Sequence, residues 1–174
     1  EGPLRVVFCL TYNDYFANGQ APVVETFTVT CDAHQPLCRA QVMFAPADST
    51  SPQFDEIGAG IFLHTATANP EIGVDGQMQI GESTGYLAYA ENAVSDAGLA
   101  SGRNYAAVVL PGMKEHATAD GMLYGKADYE MGETYTYYFG GGWSEWKYPT
   151  DADWFEAIAK NARSIAAPIA YTIQ

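Results

Sequence analysis

The chain has 174 residues, 48% of them hydrophobic, and its 21 acidic and 8 basic side chains give a net charge of −13 at pH 7. This length and composition predict one domain with its own core, and the charge excludes nucleic acids and anionic membranes as partners, because binding to either depends on clustered basic residues. No apolar run reaches the roughly twenty residues needed to span a bilayer. Because the sequence has neither an initiator Met nor a basic-then-apolar leader, we expect a processed product or a fragment.

Short segments rich in β-branched and aromatic residues recur along most of the chain. The first, Arg5 to Tyr12, is followed by Val23 to Cys31 and by Cys38 to Phe44, with Gly, Asn and Pro residues between them. This pattern predicts an antiparallel meander, and its regular continuation favours an all-β sandwich. Later strands are predicted at Gly58 to Thr65, Met78 to Ile80, Gly85 to Ala90, Tyr105 to Leu110, Met122 to Tyr129, Tyr135 to Phe139 and Ile169 to Ile173.

The three cysteines do not have the spacing of a metal site, so no metal is expected. Strand alternation places Cys31 and Cys38 opposite each other if the residues between them form a hairpin loop. A disulfide would then clip the hairpin in an oxidising compartment, and the alternative is two buried thiols. Cys9 is expected in the core.

One helix is predicted near the C-terminus, from Ala152 to Ala166. Thr150 or Asp151 is suited to cap its first turn, and Pro168 is suited to end it. Its apolar stripe consists of Trp154, Ile158, Ala162 and Ile165.

The segment from Tyr135 to Trp146 runs from an aromatic strand into three glycines and two tryptophans. The glycines permit a bend or a close backbone approach, and we expect them to end strand pairing and to place Trp143 and Trp146 on a ledge at a sheet edge. Sugars stack on such indole faces. The alternatives are that the aromatic run belongs to the core and that the indoles cover the helix.

The residues Gly81 to Gly85 match the Gly-x-Ser-x-Gly spelling of a hydrolase nucleophile elbow. That motif requires a helix after the serine, and here a strand is predicted, so we interpret the match as coincidence. The sequence also lacks a phosphate-binding Gly-rich loop. We therefore expect no nucleotide chemistry and no cofactor.

Acid and base candidates lie at predicted strand ends, where sites are often built. His64 ends an apolar strand and is the leading catalytic candidate, with a structural histidine as the alternative. Tyr89 and Glu91 are further catalytic candidates, in a second polar and aromatic group on one strand, because a Tyr donates or accepts a proton and a Glu pairs with that Tyr. The alternative is a half-buried strand with a polar tip. His34 and His116 are expected to be exposed in turns.

Arginine is scarce in this sequence, and Arg103 and Arg39 are the residues suited to a bidentate contact with a sugar carboxylate. Arg103 joins Trp143 and Trp146 in the predicted substrate-binding set.

Several short motifs occur in order along the chain: Gly2 to Phe8 with Leu10 and Tyr12, Val24 to Thr26, Asp32-Ala33, Pro36-Leu37, Val108 to Gly112, Tyr137-Tyr138 with Gly140, Gly142 to Ser144, and Asp153-Trp154. Together they resemble a family of secreted bacterial proteins known as DUF4861, a domain of unknown function. The resemblance implies a galactose-mutarotase-like β-supersandwich and an activity on carbohydrates, with uronic-acid-containing glycans as the favoured substrates. It covers nearly all of the chain but only the C-terminal part of the family pattern, so we expect one sandwich domain, 1–174, incomplete at its N-terminus.

Three hypotheses follow. The first is a secreted or periplasmic glycoside hydrolase or polysaccharide lyase that acts by proton transfer. The second is a non-catalytic glycan-binding module, and the third is an inactive domain fragment. Missing strands would leave exposed sheet edges, through which self-association is expected.

Overall fold

A computed structural model describes residues 3–16, 22–51, 53–64, 74–95 and 97–168. This part of the chain forms ten β-strands and a C-terminal helix. In chain order the elements are β1 (Arg5–Phe16), β2 (Pro22–Asp32), β3 (Cys38–Pro46), β4 (Glu56–Phe62), β5 (Gln77–Gly81), β6 (Tyr86–Val94), β7 (Ala100–Val109), β8 (Glu115–Ala119), β9 (Met122–Asp128), β10 (Tyr135–Trp143) and α1 (Asp151–Ala166).

The strands form two antiparallel sheets that pack face to face. The large sheet has the order β1-β2-β3-β10-β7-β6-β5, and the small sheet has the order β4-β9-β8. Alternate residues of the central strands β6, β7 and β10 point between the sheets, which is the pattern that the sequence predicted. The all-β sandwich is therefore confirmed. Its central core consists of Ile61, Leu87, Tyr89, Val108, Leu110 and Leu123.

The helix α1 forms a third layer on the opposite face of the large sheet. Its predicted apolar stripe is buried at Trp154, Ile158 and Ala162, and the indole of Trp154 stacks on Tyr105 of β7 with the ring centres 5.5 Å apart. Thr150 caps the helix as predicted, because its side chain accepts a hydrogen bond from the Asp153 backbone N–H in a capping box. The large sheet thus has one face under the small sheet and one under the helix.

The glycines of β10 do not end strand pairing, so this part of the prediction was wrong. β10 is the fourth of the seven strands and continues to Trp143, with Gly140, Gly141 and Gly142 all paired to β7. A Cβ at Gly140 would lie 2.0 Å from the Pro36 carbonyl oxygen. These positions therefore need glycine for close packing against neighbouring segments and not for a bend.

The hairpin between β2 and β3 is closed by a disulfide that joins Cys31 to Cys38. His34 in its loop has a backbone φ of 65°, and its carbonyl oxygen accepts a hydrogen bond from the Lys147 Nζ ammonium at 3.0 Å. The loop is therefore tied both to its own strands and to the turn after β10. Cys9 is an exposed free thiol and not a core residue.

The remaining differences concern segments with weak local signals. β8 contains His116 in a stretch that the sequence suggested was a turn, and the predicted strand from Ile169 to Ile173 lies outside the described residues.

β1 is an edge strand with exposed Val6, Phe8 and Leu10. Self-association through this edge stays a prediction. Among the described residues, no helix is both long and apolar enough to cross a membrane.

Candidate functional site

The candidate site lies on the small-sheet side of the large sheet, where the segment after β4 meets β6. Tyr89 and Glu91 are two residues apart on β6, and both point toward the small-sheet side, where Tyr89 joins the core between the sheets. Glu91 is directly opposite Asn104 on β7, and Asn104 is directly opposite Trp143 on β10. Glu91, Asn104 and Trp143 therefore form a straight row across three strands, which we call the Glu91–Trp143 row.

His64 reaches Glu91 from the opposite sheet. It lies two residues after the end of β4, and its Nδ1 is 2.6 Å from the Glu91 Oε1. The Glu91 side chain is 10% exposed, whereas that of His64 is 57% exposed. The other Glu91 oxygen, Oε2, is buried and has no hydrogen-bond partner among the described residues. The pair thus consists of a buried carboxylate in hydrogen-bond contact with an imidazole that is exposed to solvent.

Two aromatic side chains, those of Phe62 and Tyr89, are neighbours of this pair. The Phe62 ring lies edge-on to the His64 ring, with the centres 5.3 Å apart. Burial raises the pKa of the Tyr89 phenol, and the neighbouring Glu91 carboxylate raises it further. A Cβ at Gly76 would come within 2.2 Å of the Tyr89 hydroxyl oxygen, so the close approach requires glycine there. Tyr89 is therefore a protonated, closely packed neighbour of Glu91.

The two predicted tryptophans are exposed and do not belong to the core. Trp143 is 42% exposed, and its indole N–H donates a hydrogen bond to the Ser101 carbonyl oxygen at 2.6 Å. Because neighbouring strands are about 4.8 Å apart, Trp143 lies about 10 Å from Glu91 along the row. The next row of the sheet contains Tyr89, Ala106 and Gly141, so the residues nearest to Trp143 in that row are small. Trp146 is 76% exposed in the following turn.

Arg103 lies on the opposite, helix-covered face of the large sheet and does not join His64. Its guanidinium donates to both Asp151 carboxylate oxygens, Nε–H to Oδ1 at 3.0 Å and Nη2–H to Oδ2 at 2.6 Å. Further bonds connect it to Asn92 at 2.7 Å and to the Asp75 backbone carbonyl at 3.1 Å. The hydrogen bond to Asp151 is the main cause of the raised pKa of Arg103. The structure therefore gives this arginine internal partners.

The other candidates also lie away from the His64–Glu91 pair. His34 is in the β2–β3 loop, and His116 is in the outer strand of the small sheet. Ser83 is in a short 3₁₀ turn before strand β6, without the helix of a nucleophile elbow. In the described part of the chain, no group of three or more His, Cys, Asp or Glu side chains is arranged to hold a metal.

Asn104 is the row residue that sequence reasoning missed. It is an exposed polar residue at the start of the β7 segment that packs in the core, and by itself it gives no functional signal. Its position is meaningful only because the register sets it between Glu91 and Trp143. An isolated strand sequence does not determine register with strands that are distant along the chain.

Comparison with known proteins gives one match. No curated protein and no solved structure matches this chain. The sequence pattern of the family described as "Domain of unknown function (DUF4861)" matches residues 1–170. The chain belongs to the DUF4861 family.

Proposed function

We propose that this protein is a carbohydrate-active domain in which His64 transfers a proton and Glu91 orients the His64 ring. One observation carries the proposal: the 2.6 Å contact between the His64 Nδ1 and the Glu91 Oε1, at a place where the histidine is exposed and the glutamate is buried. Buried carboxylates that hold an accessible histidine are a recurrent arrangement in proton-transfer catalysis.

The chemistry follows from the donor and acceptor roles. An ionised carboxylate only accepts hydrogen bonds, so the proton between the two groups belongs to the His64 Nδ1. The other ring nitrogen, Nε2, is then left to accept a proton from a substrate. Glu91 holds this tautomer and the ring orientation, and its negative charge stabilises the imidazolium that forms. Tyr89 retains its proton and is a hydrogen-bond donor on the same sheet face.

The Glu91–Trp143 row supports a sugar as the substrate. An exposed indole held by its Ser101 hydrogen bond offers a flat apolar face about 10 Å from the acid–base pair, a distance of two sheet spacings. The C–H face of a pyranose stacks on such a ring, and Asn104 between the two offers an amide to its hydroxyl groups. A glycan lying along the row would place one ring on Trp143 and the next toward His64.

The residues of the pair favour elimination over glycoside hydrolysis. Glycoside hydrolysis usually employs two carboxyl groups about 5 to 9.5 Å apart. In the described part of the chain, the carboxylate beside His64 is that of Glu91, and it is hydrogen-bonded to the imidazole. In elimination from a uronic acid unit, the proton next to its carboxylate moves to Nε2, and the bond to the leaving sugar oxygen breaks. A carbon–carbon double bond forms, and the leaving oxygen takes a proton from water.

Replacing His64 with Gln tests the proposal. We expect product formation from uronic-acid-containing oligosaccharides to fall about 10²- to 10⁴-fold, the usual contribution of one acid–base group. The Tm should change little because His64 is exposed. His116→Gln is the matched control, since it removes a histidine from the outer strand of the small sheet.

The readout is mass analysis of the products, together with ultraviolet absorption by the new double bond. Unsaturated products indicate elimination, and products that have gained water indicate hydrolysis. Full turnover by His64→Gln would refute the role of His64 in either reaction.

A glycan-binding module is the second candidate, favoured by the exposure of both Trp143 and Trp146. Under this alternative the wild-type protein binds an oligosaccharide without converting it, and His64→Gln binds equally well. The disulfide between Cys31 and Cys38 supports a secreted or periplasmic location, because such bonds persist in oxidising compartments.

A further inference from the structure

A polar pocket lies on the helix side of the large sheet, on the face opposite to His64. Its volume is about 260 Å³. The strands contribute an in-register row in which Thr30 on β2 is opposite Arg39 on β3, and Arg39 is opposite Tyr138 on β10. We call this cavity the Arg39 pocket. Its other lining residues are Arg5, Asp32, Gln35, Leu37, Asn161 and Ile165.

The charge of the Arg39 pocket is opposite to that of the whole protein. It contains two of the eight basic residues of a chain whose net charge is −13. The Arg5 guanidinium is bonded to Asp32, at 2.5 Å from Nε to Oδ1 and at 2.8 Å from Nη2 to Oδ2. This bond is the main cause of the lowered pKa of Asp32, to which the charge of Arg39 also contributes. With Asp32 paired to Arg5, the pocket retains one positive charge.

That remaining charge belongs to Arg39. Among the described residues, its guanidinium forms no hydrogen bond or ion pair, in contrast to Arg5 and Arg103. Arg39 is exposed, and it points into a cavity whose walls also contain the Thr30 and Tyr138 hydroxyl groups and the Asn161 amide. A planar guanidinium with free donors is suited to bind a carboxylate through two parallel hydrogen bonds.

We propose that the Arg39 pocket binds a small hydroxylated carboxylate, with Arg39 holding the carboxylate and the surrounding polar groups holding the hydroxyl groups. The size fits this class, because the pocket is slightly smaller than the roughly 300 to 1,000 Å³ typical of sites for drug-sized ligands. The site is separate from the His64–Glu91 pair, since the large sheet lies between them. It therefore stands or falls independently of the proposed catalytic function.

Calorimetric titration with D-glucuronate is the first test, and D-glucose and acetate are the controls. We expect D-glucuronate to bind the wild-type protein more tightly than either control, because only it has both a carboxylate and several hydroxyl groups. Equal binding of acetate would refute the contribution of the hydroxyl groups. Absence of D-glucuronate binding would refute the site.

Substitution of Arg39 locates the binding. Arg39→Gln should weaken D-glucuronate affinity about ten- to hundredfold, the range expected for losing hydrogen bonds to a charged group. Arg39→Lys should fall between this variant and wild type, because lysine keeps the charge without the planar fork. Arg163→Gln on α1 is the matched control, since it removes the same charge from an exposed arginine outside the pocket.

Amide NMR shifts of the wild-type protein provide a measurement that does not depend on any variant. D-Glucuronate should shift the signals of Gln35 and Leu37, which line the pocket, whether or not it also shifts that of His64. Equal affinity of Arg39→Gln and wild type, or shifts confined to His64 and its neighbours, would overturn the proposal.

Discussion

Two ionic clusters lie on opposite faces of the same pair of strands, β6 and β7, and they differ in how completely their polar atoms are used. On the helix-covered face, Arg103 donates hydrogen bonds through each of its three nitrogens to groups of the protein. On the small-sheet face, one Glu91 oxygen contacts His64, and the other is buried with no partner in the part of the chain that the structure describes.

The difference separates a structural cluster from a candidate site. A buried charged group that forms all its hydrogen bonds within the protein has few donors or acceptors left for a ligand. A buried group with an unpaired polar atom costs desolvation free energy, and such groups are often found at functional sites. By this criterion Arg103 connects the start of α1 to the sheet, and the His64–Glu91 pair is the centre proposed to be reactive. Four predictions test the contrast, in order of decreasing effect.

Replacement of Arg103 with Met should destabilise the protein by about 2 to 4 kcal/mol. Removing one member of a buried ion pair leaves the other charge uncompensated, at a cost of about 3 to 5 kcal/mol, and we lower this range because Asp151 is partly exposed. Urea denaturation measures the loss. Arg163→Met is the control on the exposed side of α1, and equal stability of the two variants would mean that the Arg103 cluster is not structural.

The second prediction concerns alkaline pH and the helix-covered face. Burial, helped by the nearby Asp151 carboxylate, raises the pKa of the Tyr105 phenol from 10.0 to about 12. The folded state therefore keeps the phenolic proton where the unfolded chain loses it. This contribution to stability is fully present below pH 10 and is lost as the pH rises toward 12.

Tyr105→Phe should remove this pH dependence, which is on the order of 2 kcal/mol for a two-unit pKa difference. Denaturation midpoints of wild type and Tyr105→Phe, measured at neutral and at alkaline pH, provide the comparison. Parallel decline of the two proteins would show that Tyr105 is not the group responsible.

The third prediction concerns the open face. Trp143→Ala should weaken oligosaccharide binding by about 1 to 3 kcal/mol, the usual cost of losing an aromatic anchor. Trp143→Phe should retain part of the affinity because it keeps a stacking face. Calorimetry measures both, and unchanged affinity of Trp143→Ala would remove this residue from the site.

The smallest expected effect on stability comes from Glu91, and it completes the contrast with Arg103. Glu91→Leu should change the free energy of unfolding by less than about 1 kcal/mol, or raise it, because an apolar side chain replaces a buried charge and leaves only the exposed His64 without a partner. Product formation should be lost at the same time. A large loss of stability would show that the His64–Glu91 pair is a structural cluster like that of Arg103.

Part of the site was predictable because it depends on short stretches of sequence. His64 follows an apolar strand, and Tyr89 and Glu91 share one face of another, so their residue types and spacing marked them as candidates. The contact between His64 and Glu91 was not predictable in the same way, because it joins two sheets. The sequence also did not predict that Arg103 lies on the helix-covered face of the large sheet, because this depends on where α1 packs.

The sequence by itself determined the elements whose causes are local: the alternating strands and a capped C-terminal helix with its apolar stripe. It left the Cys31–Cys38 disulfide open, because that pairing required the intervening loop to form a hairpin. Only the tertiary structure decided that β10 lies between β3 and β7, that its glycines pack closely against other segments, and that Glu91, Asn104 and Trp143 share one row. The physical reason is that strand propensity depends on neighbouring residues, whereas strand order and register depend on how distant apolar faces are buried together.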